Sequence, residues 1–168
     1  MAATIEHRAE WDAPAATVYA TLTAADYLSA RLTELGGRDA AIVERTVDEH
    51  GARLRLRHSV AVDLLPAIVR SVIGGDVLLD RVETWSRRPE GGWDGTVEVT
   101  MRGLGGSLSG TQSLADTGQG SSATLISGAA HVPLPLLGGR IENVARERVL
   151  SLLESEDEFT RRWLANSA

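Results

Sequence analysis

Three histidines, a glutamine and a few acids and arginines are the side chains whose positions suit chemistry. His7, His58 and Gln112 fall on the apolar phase of alternating segments, and His131 lies near the end of another. A polar group on a buried face needs a hydrogen-bonding partner, either in the protein or in a bound molecule. An inward-facing His or Glu could act as a general acid or base, and His7, His58 and Glu83 are the candidates. Arg148 and Glu156 stand on or beside the apolar stripe of a helix, about two turns apart, so they do not pair within it. A solvent-facing rim position is the expectation for both.

Other chemistries lack their residues. The histidines show no HxH or HExxH spacing and the chain has no cysteine, so no metal site, disulfide or thiolate nucleophile is expected. GSLSG at 106–110 has its serines misplaced for a nucleophile elbow, and a strand pattern follows where that motif requires a helix. GLGG at 103–106 likewise lacks the helix of a dinucleotide or phosphate loop, so both read as a hairpin turn. Gly138 and Gly139 read as the turn into a helix. No cofactor is implied.

The elements that carry these residues follow from periodicity. Thr4 to Trp11 alternates as a half-buried strand, with Ile5, His7, Ala9 and Trp11 on one face. Two short helices should follow, the first capped by Asp12 with Pro14 in its first turn, the second opened by the capping-box spacing of Thr23 and Asp26 and stopped by Gly36 and Gly37. Six strand candidates then succeed one another: Ala40 to Val47, Ala52 to Val62, Asp76 to Arg87, Trp93 to Met101, Gly106 to Leu114 and Ser122 to Val132. In the second of these, Leu54, Leu56, His58, Val60 and Val62 share a face opposite a row of arginines. In the third, Val77, Leu79 and Trp85 share a phase with Arg81 and Glu83, which leaves its facing open. From about Gly139 the period becomes helical, with Ile141, Ala145, Val149, Leu152, Phe159 and Trp163 in one stripe to about Leu164.

Between the second and third of the six candidates lies LLPAIVRSVIGG, whose only charge is Arg70. Pro66 suits a first helical position and Gly74 a stop, with Leu65, Ile68, Val69, Val72 and Ile73 spaced at three and four. This segment reads as a lid over a cavity mouth, a homodimer or membrane contact, or packing onto its own sheet.

At 168 residues and 43% apolar, the chain suits a single domain over 1–168 that holds together by packing alone. The net charge of -6 argues against nucleic acid as a partner. Neither a signal-peptide h-region nor a bilayer-spanning apolar stretch is present, so the expectation is a cytoplasmic protein without stable membrane insertion.

One strand, two helices, six strands and a long helix cannot form a parallel doubly wound sheet, since no crossover helices separate the strands. The fold class expected is α+β, a curved antiparallel sheet of about seven strands wrapped around the C-terminal helix. That order resembles the START-like (SRPBCC, helix-grip) superfamily. VPLPLLGGRIE at 132–142, DRVETW at 80–85 and FTRRWL at 159–164 resemble an actinobacterial branch of unknown function within it. The resemblance implies an internal cavity for a lipid, polyketide, quinone or similar apolar molecule. Its walls would come from His7, Leu56, His58 and Val60, from Trp93, Val97, Val99 and Met101, from Gln112, and from Ile141, Ala145, Arg148 and Leu152 of the helix. Only 4% of the residues are aromatic, and Gly95, Gly110, Gly128, Ala129 and Ala130 are small, which makes complete filling of the interior difficult. Three functions fit: a noncatalytic carrier or sensor of an apolar molecule, an enzyme of the cyclase or dehydratase type that uses a cavity His or Glu as acid or base, and an interaction module acting through residues 64–73.

Overall fold

A computed structural model describes residues 2–167. Strand β1 (Ala3–Trp11) is followed by helices α1 (Ala15–Leu22) and α2 (Ala25–Leu35). The chain continues through β2 (Ala41–Val47), β3 (Gly51–Val60), a 3-10 turn at Val62–Leu64 and the one-turn helix α3 (Ala67–Arg70). It then runs through β4 (Val77–Arg87), β5 (Trp93–Arg102), β6 (Gly106–Gly118) and β7 (Ser121–His131) into α4 (Gly138–Ser167). The seven strands form one antiparallel sheet in the order β1-β7-β6-β5-β4-β3-β2. Strands β2 to β7 are a meander, and β1 closes against β7. Helices α1 and α2 therefore bridge the two edges of the sheet. Helix α4 packs on β1, β7 and α2, which makes an α+β helix-grip fold.

Alternation decides which face of each strand is buried. Ile5, Ala9 and Trp11 of β1 and Trp93, Val97 and Met101 of β5 are buried, whereas Asp94, Thr96 and Glu98 are exposed. Each large apolar side chain removed from water in this way contributes about 1.5–3 kcal/mol. The facing of β4 is settled with its charges inward: Val77, Arg81, Glu83 and Trp85 are all buried. GLGG is the β5–β6 turn, where Gly103 and Gly105 have φ of 97° and 65°, a region that disfavours side chains.

The aromatic residues are segregated. Trp11, Trp85 and Trp93 gather against α1, where Tyr19 stacks on Trp93 at 4.4 Å. Tyr27, Phe159 and Trp163 pin α2 to α4, with Tyr27 and Phe159 centroids 5.7 Å apart. The chain's 4 Trp, 2 Tyr and 1 Phe all belong to these two clusters. The opposite end is aliphatic: Leu65, Val69, Val77, Met101, Leu104, Val132 and Ile141.

Several local expectations are corrected. Asp12 does not cap α1. The residue directly before the helix is Pro14, which has no acceptor side chain, and the Ala15 N–H instead donates to Asp116 of β6 at 2.7 Å. Thr23 and Asp26 form no capping box, because the Thr23 hydroxyl donates to the Tyr19 carbonyl at 2.8 Å and closes α1. The apolar 64–73 segment forms one helical turn where the spacing predicts a longer helix, and, in line with one of its open readings, it packs on its own sheet and on the start of α4.

Candidate functional site

Three adjoining cavities lie between the sheet and α4. The central one, of about 50 Å³, has His58 and Arg81 in an otherwise apolar wall that includes Ile5, Val97, Val99, Leu108, Ile126, Leu152 and the backbone of Gly110 and Gly128. Those two glycines face each other across β6 and β7, and a Cβ on either would meet the neighbouring strand's carbonyl at 2.4 or 2.5 Å. Close strand approach thus excludes side chains there, and the sheet leaves space beneath Val149 and Leu152. A second apolar cavity, of about 80 Å³, lies at the aliphatic end under Leu65 and Val69, and shares Leu79 and Val149 with the first. A third, of about 50 Å³, lies toward the aromatic end. It is walled by Arg31, Glu83, Gln112 and Glu156 and shares Arg81, Ile126 and Leu153 with the central one. Larger grooves of about 340 and 560 Å³ flank the C-terminal end of α4, but exposed side chains line most of them.

The polar end is a buried four-charge cluster. Arg81 Nη1 donates to both Glu156 carboxylate oxygens at 3.1 and 2.9 Å, and its Nε lies 3.1 Å from Glu83 Oε2. Arg31 of α2 lies 3.7 Å from Glu156 and 3.9 Å from Glu83. Tyr27 and Thr160 share a 2.6 Å hydrogen bond beside it, and the Thr160 hydroxyl is also within reach of the Glu156 carbonyl at 2.7 Å. Two guanidinium and two carboxylate groups balance. Burial alone would raise the Glu156 carboxyl, but Arg31 and Arg81 outweigh it and hold the group down at about 2. His58 goes the other way. Burial, followed by the nearby Arg81, pushes it down to about 4, so it is neutral at physiological pH. Neither ring nitrogen of His58 has a hydrogen-bond partner among the described residues, and Arg31 Nε and Nη2 have none either.

The expected wall residues divide among several places. His58, Val97, Val99 and Leu152 line the central cavity. Val60, Met101, Ile141, Ala145 and Arg148 line the aliphatic one, with Leu65 and Val69 above them. Ile68, Val72 and Ile73 pack against the same cluster. Gln112 lines the polar cavity, its Nε2 donating to the Thr84 carbonyl at 3.0 Å. Three residues lie away from the cavities: His7 binds Asp157 at 2.6 Å, Leu56 packs with Tyr27 and Leu54, and Trp93 stacks on Tyr19. His131 is on the rim, 3.2 Å from Glu142, whose buried carboxylate also accepts the Val132 N–H at 2.7 Å.

Arg148 is exposed as expected, and its Nη2 donates to the Leu64 carbonyl at 2.6 Å. Glu156 is not on a rim: it is 4% exposed, because Arg81 and Arg31 meet it inside. Sequence reading missed the cluster although its signals are present. Arg81 and Glu83 share the phase of Val77 and Trp85, Glu156 falls in an apolar helical stripe, and Arg31 is in register with Tyr27, Leu28 and Leu32 of α2. Charges on three inward faces imply that they meet.

Comparison with known proteins gives concordant results. A family model described as a protein of unknown function (DUF2505) matches residues 6–164. An uncharacterized protein of Mycobacterium tuberculosis is 25% identical over 165 residues, which is 95% of this chain and 95% of the relative. Among solved structures, a conserved protein from Geobacillus kaustophilus superposes with a TM-score of 0.61 at 14% identity, covering 98% of this chain and 96% of that one. The lipid transfer and protein localization domain of human StarD13 superposes with a TM-score of 0.52 at 14% identity, covering 94% and 74%. At such identities the structural likeness concerns the fold, which is START-like.

Proposed function

The chain belongs to the DUF2505 family of proteins of unknown function, and from that premise we propose that it binds an apolar small molecule between its sheet and its long helix, as a carrier or sensor. The observation that carries this reading is the pair of adjoining apolar cavities along α4, which share Leu79 and Val149 in their walls. The StarD13 domain, named for lipid transfer, has the same fold and supports it. The cavities of about 50 and 80 Å³ are smaller than the roughly 300–1,000 Å³ of drug-sized sites, so binding requires Leu79 and Val149 to turn aside and α4 to yield.

Binding is favoured over catalysis by the state of the candidate groups. A general acid or base works best with a pKa near the working pH, whereas His58 is held at about 4. Glu83 is engaged by Arg81 at 3.1 Å, and His7 is bound to Asp157 away from the cavities. The interaction-module reading loses support because Leu65 and Val69 are buried and Ile68, Val72 and Ile73 pack against the same cluster, leaving Leu64, at 63%, as the exposed large apolar side chain of the segment. No helix among the described residues is long and apolar enough to cross a membrane.

Titration with the neutral fluorophore Nile red provides the test. The expectation is saturable one-to-one binding by the native chain, and at least a tenfold weaker affinity in Leu152→Phe, which fills the central cavity, at unchanged thermal stability. No saturable binding, or equal binding by both proteins, contradicts the reading.

A further inference from the structure

The polar end of the cavity is specific in a way that its apolar walls are not. His58 is 4% exposed, and it opens into a cavity whose wall is otherwise hydrocarbon apart from Arg81. Whichever tautomer its neutral ring adopts, one nitrogen is a donor and the other an acceptor, and both are unpartnered among the described residues. A buried polar group left unpaired is costly. Water satisfies such a group poorly where the remaining wall offers it few other partners.

The electrostatics limit what can sit there. The charged groups around the central and polar cavities are Arg31, Arg81, Glu83 and Glu156, with Asp157 at the edge beside His7. The two guanidinium groups are already matched by two carboxylates. Arg81 is the charge that acts most strongly on His58, ahead of Glu156 and Arg31, but it is already held by Glu83 and Glu156, so an anion placed beside His58 would have no counter-ion of its own. A cation would be repelled by Arg81 and Arg31. Burying either charge without a counter-ion is strongly unfavourable.

We infer that the ligand has an apolar body ending in an uncharged hydroxyl or carbonyl, and that His58 is the residue that receives this polar end. The inference rests on the cavity-binding reading and narrows its ligand class: alcohols, ketones and quinones fit the site, whereas fatty acids, phospholipids and amines do not. The apolar body extends toward Leu79 and Val149 into the aliphatic cavity. Among the arginines that line the three cavities, Arg148 of the aliphatic one is the guanidinium with no carboxylate paired to it among the described residues, so an anionic group would be received there. The reversed orientation therefore makes an opposite prediction.

The test uses four ligands of equal chain length, 1-octanol, 2-octanone, octanoate and octylammonium, each displacing Nile red at pH 7.5. Octanol and octanone are expected to displace it at concentrations at least tenfold below those of the two ions. His58→Leu is expected to weaken octanol about tenfold, and His58→Gln, which keeps a donor and an acceptor, to retain most of the affinity. The inference is overturned, with cavity binding intact, if octanoate binds as well as octanol, if Arg148→Ala abolishes octanoate binding, or if His58→Leu leaves octanol unchanged. Should the leucine variant fail to fold, the ligand ranking of the native chain decides alone. If none of the four ligands displaces Nile red and Nile red itself does not bind, the cavity-binding reading falls too.

Discussion

His58 and Glu156 show how one buried cluster moves two groups that both resist protonation. His58 has a folded-state value of about 4 against an ordinary 6.5, so the unfolded chain takes up this proton first as pH falls. Its contribution to stability is intact above about pH 6.5 and is lost between there and about pH 4, a range corresponding to roughly 3 kcal/mol. Glu156, held at about 2 against 4.5, contributes stability above pH 4.5 that disappears as pH falls toward 2. Chemical denaturation across pH should therefore show a decline beginning near pH 6, with its upper part absent in His58→Leu; an unchanged profile in that variant would exclude His58 as its source. Glu156→Ala leaves Arg81 and Arg31 buried without one of their partners and should cost about 3–5 kcal/mol, measured by urea denaturation. A loss below 1 kcal/mol would mean that the cluster is hydrated rather than closed. These residues were only half legible in the sequence. The inward phase of His58 was plain from its alternation with arginines, but pairing partners lie as far apart as Arg81 and Glu156, and spacing along a chain cannot supply that distance.

Among the elements, strands were more legible than their ends. One-faced burial writes a period of two, and β1, β3 and β5 were read within two residues of their observed bounds. The cap of α1 was not legible, because Asp116 reaches Ala15 from a strand 101 positions away. The fourth strand was ambiguous for a physical reason: its buried face carries an arginine and a glutamate, made tolerable by their pairing with each other and with neighbours on α2 and α4. The segment from Val62 to Asp76 carries a 3-10 turn and one turn of α-helix; the Val62 N–H ties its ends to Asp76 at 2.9 Å, and Arg148 holds the Leu64 carbonyl at 2.6 Å. If it gates the aliphatic cavity, Arg148→Ala should speed amide exchange across residues 64–73 severalfold and accelerate Nile red release, with β5 and β6 unaffected. Equal exchange rates in the two proteins would argue that the segment is fixed core.

At the scale of the whole molecule, the placement of the aromatic residues accounts for the cavity. Two clusters take all of the aromatic rings and fill the end bounded by α1 and α2, which leaves β5, β6 and β7 to face α4 with Val97, Val99, Leu108, Gly110 and Gly128. Element order alone made the START-like fold legible. The low aromatic content and the small residues of the late strands pointed to incomplete filling, but not to its division into apolar and polar compartments, which depends on where Arg31 and Arg81 meet α4. The most direct measurement is native mass spectrometry of the protein purified from an actinobacterial host, followed by denaturing extraction of whatever copurifies. A stoichiometric, uncharged apolar adduct with a hydroxyl or carbonyl group, reduced in Leu152→Phe, is the predicted result. A bare mass for the native chain, together with no thermal shift across lipids, polyketides and quinones, would contradict the account.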